Sequence, residues 1–454
     1  MHESSDSYAA MNWILPEGVW LEFEGLSSPL QILRGLGGGG QGQVFEVAME
    51  GERLALKWYF PSCLNNDPHL SKRLNQNIRA TSPNTDFLWP IALLRPTATS
   101  QSLIRSKDPG FGYLMALRPN DYVGAMEHYA GRLDISLQNV LRSCFYLAEA
   151  FHSLHTRGLC YKDISIGNLF LQPDTGRILI CDNDNVDEDG RELGSVLGTA
   201  GFIAPEVLMR EARPGTNSDL FSLAVLMFRL LMRHDPLKGQ KELDIHCLDE
   251  PARRRLYGED PVFIFDPKNN RNRPNPKEHA AALLTWPIYP LLLQQLFLQT
   301  FCEGMKNPSR RSLTGQWKDA LSGTLDLRQL CPCCGQENFL VRDNSKLSCW
   351  ECSAPMPDPI LMQAAHGSVV AAAGNELNIH HFDCLESPQL LQPLARVTNH
   401  PSDPLIVGLC NLSGTAWTAR LSDGKEMKVE PGRNCNLAKI QQISTSAGAV
   451  VINH

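Results

Sequence analysis

Three polar side chains in one stretch of the sequence are the first candidates for chemistry in this chain. Asp163 precedes Asn168 by five positions, and Asp182 directly follows the apolar run 177–181. Because that run is short, apolar and bounded by turn residues, it predicts a buried strand with Asp182 at its end. Carboxylate and amide groups in this order suit a reaction that uses a proton acceptor and a divalent cation. Polar loop residues are usually solvated turn residues, so these three positions alone do not identify an active site, and further motifs in the chain are needed.

Length and charge narrow the class of protein. The chain has 454 residues and a formal net charge of -7, which predicts two to four domains and gives no reason to expect nucleic-acid binding. The first residues, 1–6, lack the features of a signal peptide, and no apolar run reaches about 18 residues, so a membrane span is not expected. We therefore expect a cytoplasmic protein whose 14 cysteines stay reduced.

A glycine-rich turn lies upstream of these residues and is followed by a second strand. Four positions fit the pattern Gly-x-Gly-x-x-Gly-x-Val, and they are Gly37, Gly39, Gly42 and Val44. Glycine lets a hairpin backbone lie close to phosphates. The following strand, 53–59, contains Leu-Ala-Leu-Lys, which matches Val-Ala-Ile-Lys and places Lys57 for a nucleotide phosphate. The two features together favour a nucleotide site over a flexible turn followed by a surface lysine.

With these motifs, residues 30–325 resemble a eukaryotic-type Ser/Thr protein kinase. The resemblance implies an α+β bilobal fold and ATP- and Mg²⁺-dependent transfer of the γ-phosphate to a protein hydroxyl. It implies that Asp163 is the base, and that Asn168 and Asp182 hold Mg²⁺. The catalytic set it implies is Lys57, Asp163, Asn168 and Asp182. The nucleotide-binding set it implies is Gly37, Gly39, Gly42, Val44, Ala55, Lys57, Met115, Leu117, Asn168 and Asp182.

Further motifs follow in the order of the kinase family. They are a fifth strand and hinge at 111–118 with Met115 as gatekeeper, a helix at 138–156, an activation-segment end at 198–206, a helix after Asp219, and the late Arg311. The resemblance implies that Asp219 supports the catalytic loop and that Thr199 contacts Asp163. It also favours a buried structural pair between Glu206 and Arg311 over a solvated surface pair.

Several positions depart from the family pattern. The helix expected at 69–78 contains no acid to pair with Lys57, and a neutral hydrogen bond from Gln76 or Asn75 would be weaker than a charged one. Asp-Phe-Gly becomes Asp182-Asn183-Asp184, and whether Asp184 binds metal stays open. Lys162 and Ser165 also replace the usual Arg and Lys, and lysine cannot form the bidentate phosphate clamp of arginine.

Two functions remain after these departures are considered. The first is an active kinase, which the four intact catalytic residues favour. The alternative is a pseudokinase scaffold that binds nucleotide and presents the C-terminal modules to partners. Ser195 and Thr199 are candidate phosphorylation sites. Because the helix acid and the arginine clamp are both missing, we expect activity to depend little on activation-segment phosphorylation.

Two cysteine pairs lie beyond the kinase-like region, at residues 329–357. Cys331-x-x-Cys334 and Cys349-x-x-Cys352 have the spacing of a tetrahedral, structural Zn²⁺ site on two knuckles. Cys333 could replace Cys334, so the register of the first knuckle stays open. The segment 337–348 can form the intervening hairpin.

The last segment, 359–454, follows the N-terminal arm at 1–29, the kinase region and the zinc ribbon as a fourth part. Alternating residues at 416–422 and 425–429 around Asp423-Gly424 predict a hairpin. Trp417, Ala419 and Leu421 should share one face, with Met427 and Val429 opposite. With further strands at 369–372, 404–407 and 449–452, the segment predicts an all-β sandwich that faintly resembles a forkhead-associated domain. The pair His380-His381 is expected at the surface.

This order of domains resembles bacterial kinases from operons that also encode a PP2C-type phosphatase and a von Willebrand A-domain protein, linked to tellurite resistance. The resemblance implies a role in bacterial stress signalling. It implies phosphorylation of the von Willebrand A-domain protein, reversed by the phosphatase.

Overall fold

The computed structural model describes residues 12–108, 110–190, 198–340, 347–382 and 390–454. The chain forms two compact units. The first comprises Met1–Ile135, Tyr146–Asn275 and Gln299–Thr314, and the second comprises Ser136–Phe145, Pro276–Leu298 and Gly315–His454. Within the described ranges, we find no helix with the length and apolarity that crossing a membrane requires.

The helices range from single turns to five turns. In chain order they are α1 (Pro61–Asn66), α2 (Leu70–Ala80), α3 (Ala98–Gln101), α4 (Ala125–Tyr129), α5 (Leu137–His155), α6 (Pro205–Leu208), α7 (Thr216–Met232), α8 (Gln240–Leu243), α9 (Glu250–Arg254), α10 (Ala280–Thr285), α11 (Leu291–Leu298), α12 (Gly304–Lys306) and α13 (Thr314–Asp326). Helix α7 is buried on nearly all sides, as expected for a helix that is apolar all round.

The first unit contains a large sheet and two small ones, all antiparallel. Its strands are β1 (Trp20–Leu21), β2 (Leu30–Gly38), β3 (Gly42–Met49), β4 (Glu52–Tyr59), β5 (Ala92–Leu94), β6 (Phe111–Ala116), β7 (Val123–Gly124), β8 (Leu159–Cys160), β9 (Leu169–Leu171), β10 (Ile178–Ile180) and β11 (Asp187–Glu188). The large sheet has the order β1-β2-β3-β4-β6-β5, and the small sheets are β10-β9-β7 and β11-β8.

The N-terminal arm takes part in the core of this sheet. Ile14, Leu15, Leu21 and Phe23 are buried in one apolar cluster with residues of β2, β3, β4 and β6. A side chain at Gly35 would collide with the indole ring of Trp13, so the arm lies directly on strand β2. These arm residues thus belong to the packing of the first sheet.

The second unit is rich in antiparallel strands. They are β12 (Arg328–Leu330), β13 (Glu337–Phe339), β14 (Leu361–Ala364), β15 (Gly367–Val370), β16 (Glu376–Asn378), β17 (Pro393–His400), β18 (Asp403–Asn411), β19 (Trp417–Leu421), β20 (Glu426–Val429), β21 (Asn434–Asn436), β22 (Ile440–Thr445) and β23 (Gly448–Asn453). One sheet has the order β15-β14-β23-β22-β19-β20, another β16-β17-β18-β21, and β12 pairs with β13.

The all-β character predicted for the C-terminal segment is confirmed. Both large sheets contribute to one apolar core, and the predicted hairpin is formed by β19 and β20, in which Trp417 lies opposite Val429. Trp417, Ala419 and Val429 are buried, but Met427 is 38% exposed. Ala419 likewise lies opposite Met427, so the predicted pairing of these residues across the hairpin is confirmed, and Met427 is exposed because it lies on an outer strand of its sheet.

A buried carboxylate joins the short β12–β13 hairpin to a helix start within the second unit. Glu337 accepts hydrogen bonds from the backbone N–H groups of Leu137 and Gln138, the first residues of α5. Its other partner is the Arg328 guanidinium, which also donates to the Asn375 side chain at 3.0 Å. A carboxylate at this position satisfies N–H groups that a helix start leaves without partners.

The expected surface position of His380-His381 is wrong for the second residue. His381 is fully buried. Its Nδ1 accepts from the Asn378 N–H at 2.9 Å, and its Nε2 lies 3.1 Å from Asp326 Oδ2. Both ring nitrogens have protein partners, and this explains how a polar ring is tolerated in the interior.

Candidate active site

The glycine-rich turn connects two long strands of the first sheet. Gly37 pairs with Val44 in the β2–β3 register, and the Gly39 N–H donates to the Gly42 carbonyl at 2.9 Å. A side chain at Gly37 or Gly39 would meet nothing within 4 Å, whereas one at Gly42 would collide with the Trp58 carbonyl. Gly42 is therefore required by close packing on β4, a reason that the glycine pattern did not reveal.

An apolar cluster in the same unit contains or contacts the apolar residues that were predicted to bind nucleotide. Ala55 and Met115 lie opposite each other on β4 and β6, and both are buried in this cluster. Val44 and Leu117 pack against it while half-buried, and so does Phe170 on β9. Phe170 was missed because an apolar residue after Asn168 looks like any strand residue in the sequence.

A buried aspartate fixes the backbone of the loop that leads to Asp163, as the kinase resemblance implied. Asp219 on α7 accepts from the N–H groups of Tyr161 and Lys162 at 2.6 and 2.9 Å, and from His155 Nε2 at 3.2 Å. Lys162 has φ of 70°, a conformation that a non-glycine residue rarely adopts. The two hydrogen bonds from successive N–H groups to one carboxylate stabilise this turn just before Asp163.

Asp163 lies in the loop with two partners that orient it. Its Oδ1 accepts from the Thr199 hydroxyl at 2.7 Å, which confirms the predicted contact. Its backbone carbonyl accepts from Asn168 Nδ2 at 3.1 Å. Burial raises the pKa of Asp163 above its ordinary value, although the Thr199 hydrogen bond acts in the opposite direction. An oriented carboxylate with a raised pKa is suited to accept a proton.

Lys57 lies between two carboxylates. Its Nζ is 3.1 Å from Asp182 Oδ1 and 2.8 Å from Asp184 Oδ2. Burial alone would lower the pKa of Lys57, but the nearby carboxylates, with Asp184 foremost, raise it well above its ordinary value. The sequence placed Lys57 and Asp182 at one site but offered only Gln76 or Asn75 as a replacement for the helix acid.

The structure gives Lys57 an acidic partner that the expected helix lacks. Asn75 is exposed and donates to the Ser71 carbonyl within its own helix. Asp184 instead approaches Lys57 from the short turn after Asp182. The sequence signal was present in the replacement of Gly by Asp in the Asp-Phe-Gly motif. The contact itself joins residues 127 positions apart, which no local pattern indicates.

Two further charged positions also have protein partners. Lys162, which replaces the usual arginine, lies 3.4 Å from Asp187. Arg311 donates to both carboxylate oxygens of Glu206 at 2.7 Å, and the Arg311 side chain is fully buried. This confirms the predicted structural pair. Ser195 lies outside the described residues.

Four thiols come together in the second unit. The sulfurs of Cys331, Cys334, Cys349 and Cys352 all lie within 4.8 Å of one another, and the pairs 331–352 and 334–349 are each 3.6 Å apart. Tetrahedral zinc with Zn–S bonds of about 2.3 Å would separate its ligands by about 3.8 Å, so the four sulfurs fit that ion. Cys333 is exposed and is not part of this group.

Asn168 and Asp182 form the second candidate metal site, and their donor atoms can be compared with the ligands that Mg²⁺ accepts. The Asp182 side chain is 43% exposed. The amide nitrogen of Asn168 is engaged with a carbonyl, which leaves its oxygen as the acceptor. A carboxylate and an amide oxygen are ligands that Mg²⁺ accepts. Asn168 and Asp182 therefore fit the cation that the sequence predicted for them.

The comparisons with known proteins point to one enzyme class. Residues 121–286 match the family model described as protein kinase domain. CBL-interacting protein kinase 4 from Oryza sativa subsp. japonica is 30% identical over 171 residues, which are 36% of this chain and 36% of that protein. Serine/threonine-protein kinase PknA from Mycobacterium tuberculosis is 28% identical over 227 residues, 48% of this chain and 50% of that protein.

A third relative covers a shorter stretch. Beta-adrenergic receptor kinase 1 from Homo sapiens is 32% identical over 109 residues, 23% of this chain and 16% of that protein. The chain thus spans at most half the length of these relatives. The family model and these three relatives are all described as protein kinases.

Proposed function

We propose that this chain is an ATP- and Mg²⁺-dependent protein serine/threonine kinase that transfers the γ-phosphate to a protein hydroxyl. The observation that carries the proposal is the contact between Lys57 Nζ and Asp182 Oδ1 at 3.1 Å. This contact places the Lys57 ammonium of strand β4 beside the Asp182 carboxylate, which follows strand β10 and is 43% exposed. A phosphate–metal complex needs this combination, because both the phosphates and their cation must be held.

Each residue has a distinct part in the proposed reaction. Lys57 orients the α- and β-phosphates, while Asn168 and Asp182 hold the cation. Asp163 accepts the proton of the substrate hydroxyl. The hydroxyl oxygen forms a bond to the γ-phosphorus as the bond between that phosphorus and ADP breaks. When bound with ATP, Mg²⁺ neutralises charge on the phosphates. The Thr199 hydroxyl keeps the Asp163 carboxylate oriented for this step.

The base of the nucleotide fits the apolar residues of the first unit. Val44, Ala55, Met115, Leu117 and Phe170 all belong to or pack against one cluster. Small-molecule sites are mostly apolar, with a few placed polar groups. We assign these side chains to the adenine ring and the glycine-rich turn to the phosphates.

The finer features of the proposal concern the second unit and the partners. The four clustered cysteines would hold one structural Zn²⁺ ion. The von Willebrand A-domain substrate, the opposing PP2C-type phosphatase and a cytoplasmic stress-signalling role remain proposals that rest on the resemblance of domain order.

Intact-mass measurement after incubation with ATP and Mg²⁺, alone and with a candidate protein substrate, tests the proposed activity. Asp163→Asn should lower phosphoryl transfer by about 10²–10⁴-fold while it retains nucleotide. Asp182→Asn should lose productive Mg²⁺–ATP binding. Asp174→Asn is the matched control, because Asp174 is an exposed turn residue and the change should leave transfer intact.

The same experiment separates the kinase from the scaffold. A wild-type protein that binds ATP but adds no phosphate to any protein would favour the pseudokinase. Wild-type transfer in both Asp163→Asn and Asp182→Asn would show that the assigned residues do not carry the reaction.

A further inference from the structure

Two carboxylates share the Lys57 ammonium but lie in different surroundings. The Asp182 side chain is 43% exposed, whereas that of Asp184 is 3% exposed and its oxygen is the nearer one, at 2.8 Å. The same Asp184 oxygen, Oδ2, accepts a hydrogen bond from the Tyr59 hydroxyl. Lys57 therefore contacts Asp184 in the protein interior, whereas it contacts Asp182 at a position that solvent can reach.

Helix α2 holds the turn that carries Asp184, although it supplies no acid. Arg73 Nε donates to the Asp184 backbone carbonyl at 2.6 Å, and its terminal nitrogen donates to Asp67 at 2.6 Å. One turn further along α2, Asn77 Nδ2 donates to the Val186 carbonyl at 3.0 Å. Both helix residues are buried. The helix thus fixes the backbone of the turn, and the turn presents the carboxylate.

The segment that follows Lys57 in the sequence offers no other acidic partner for its ammonium. Between Trp58 and Thr85 the only acid is Asp67, and its Oδ2 is engaged by Arg73. A buried ammonium without an opposite charge is costly, so its partner has to come from elsewhere in the fold. Asp184 satisfies that requirement and leaves the exposed side of Asp182 available for a cation.

We propose that Asp184 is the positioning residue that orients Lys57 toward the nucleotide phosphates, in the role that an acid on helix α2 would otherwise have. This inference rests on the proposed kinase function. It assigns the ion pair to the turn at 183–185, which Arg73 and Asn77 hold in place. Alignment of Lys57 then depends on that turn and not on an acid carried by helix α2.

Double-mutant cycles on unfolding test the pairing without any need for catalysis. One cycle combines Lys57→Met with Asp184→Asn, and the matched cycle combines Lys57→Met with Asp182→Asn. We expect a coupling of about tenfold or more in the unfolding constant for Asp184 and of about threefold or less for Asp182. Equal couplings, or a stronger coupling to Asp182, would overturn the assignment.

Kinetics on the whole 454-residue chain test the consequence. Asp184→Asn should raise KM for ATP by about tenfold or more and lower kcat, while the Mg²⁺ concentration for half-maximal activity stays unchanged, and Asp184→Glu should restore part of the loss. An unchanged KM and kcat would refute the positioning role. A selective rise in the Mg²⁺ requirement would identify Asp184 as a metal ligand and refute it too.

Two further outcomes are distinguishable. If the wild-type protein transfers no phosphate, the proposed function fails, and the unfolding cycles still decide whether Asp184 is the main partner of Lys57. If Asp184→Asn does not fold, Arg73→Gln releases the turn and leaves both carboxylates in place. A raised KM for ATP in that variant supports the inference, and an unchanged KM overturns it.

Discussion

The Lys57 site and the cysteine cluster are two groups of ionisable side chains that differ in how their charges are balanced. At Lys57, the chain brings an ammonium to two carboxylates, so positive and negative charges are both supplied by the protein. In the cysteine cluster, four similar groups come together. Their partners are one another, N–H donors such as that of Cys333 at 3.4 Å, and the Asn338 amide at 3.6 Å.

This difference indicates which of the two sites needs an ion from the surrounding solution to be stable. A buried ion pair whose two members belong to the chain forms as the chain folds, although removal of one member is strongly destabilising. Among the residues that the structure describes, the four thiols in contact have no comparable partner, and a metal ion would deprotonate and bind them. The first site should therefore respond to mutation, and the second should also respond to chelators.

Metal removal should have the largest effect. Structural zinc supplies on the order of 10 kcal/mol to small metal sites, so Cys349→Ser should abolish a stoichiometry of one zinc per chain and unfold the two knuckles. Elemental analysis, thiol titration and hydrogen exchange measure the result.

Cys333→Ser is the control for this comparison, because Cys333 is exposed and lies outside the cluster. It should keep zinc and folding. Purified wild-type protein without zinc, whose four cysteines titrate freely, would contradict the metal site. Loss of zinc in Cys333→Ser would instead contradict the register.

The buried pair between Glu206 and Arg311 gives the next largest effect. Glu206→Gln leaves a fully buried guanidinium without its opposite charge, so we expect the free energy of unfolding to fall by about 3–5 kcal/mol. Chemical denaturation monitored by tryptophan fluorescence measures the change.

An exposed pair with the same bidentate geometry is available as the control. Arg132 donates to both oxygens of Glu127 at 2.7 and 2.8 Å, and the two side chains are 59% and 42% exposed. Glu127→Gln should change stability far less than Glu206→Gln, because solvent screens exposed pairs. Equal losses in the two variants would show that burial is not what makes charge pairing in the first unit important.

The smallest expected effect is a shift in pH dependence. Burial raises the pKa of Asp163, and the Thr199 hydrogen bond lowers it, so Thr199→Val should raise this pKa further. Because the base must be deprotonated, the acid limb of kcat/KM for a protein substrate should move to higher pH, by less than about one pH unit. Thr199→Ser keeps the hydroxyl and should leave the limb in place. A limb that moves to lower pH would contradict the role of this contact.

Short motifs predicted much of the site because their residues are local in sequence. The strand that carries Lys57, the loop from Asp163 to Asn168 and the cysteine spacing each depend on neighbours a few positions apart. The Glu206–Arg311 pair spans 105 positions, and it was predicted only because the kinase resemblance supplied the long-range connection.

Residues that act through long-range packing were not predictable in this way. Asp184 appeared in the sequence as a lost glycine, and its role became visible when the backbone placed it against Lys57 and Tyr59. The burial of His381 was mispredicted for the same reason. A polar ring gains its hydrogen-bond partners only when the fold is assembled.

The Glu337 carboxylate has a consequence for how this protein can be divided. The sequence predicts that the kinase-like region ends near residue 325 and that the cysteine-containing segment follows it as a separate domain. Yet Glu337 caps the first turn of α5, some 200 positions earlier, and Phe339 packs against Tyr289 at a ring-centroid distance of 5.6 Å. Genetic removal of everything after residue 325 would therefore uncap a helix and uncover an aromatic side chain. This segment should be inherited and exchanged together with the helix that it caps.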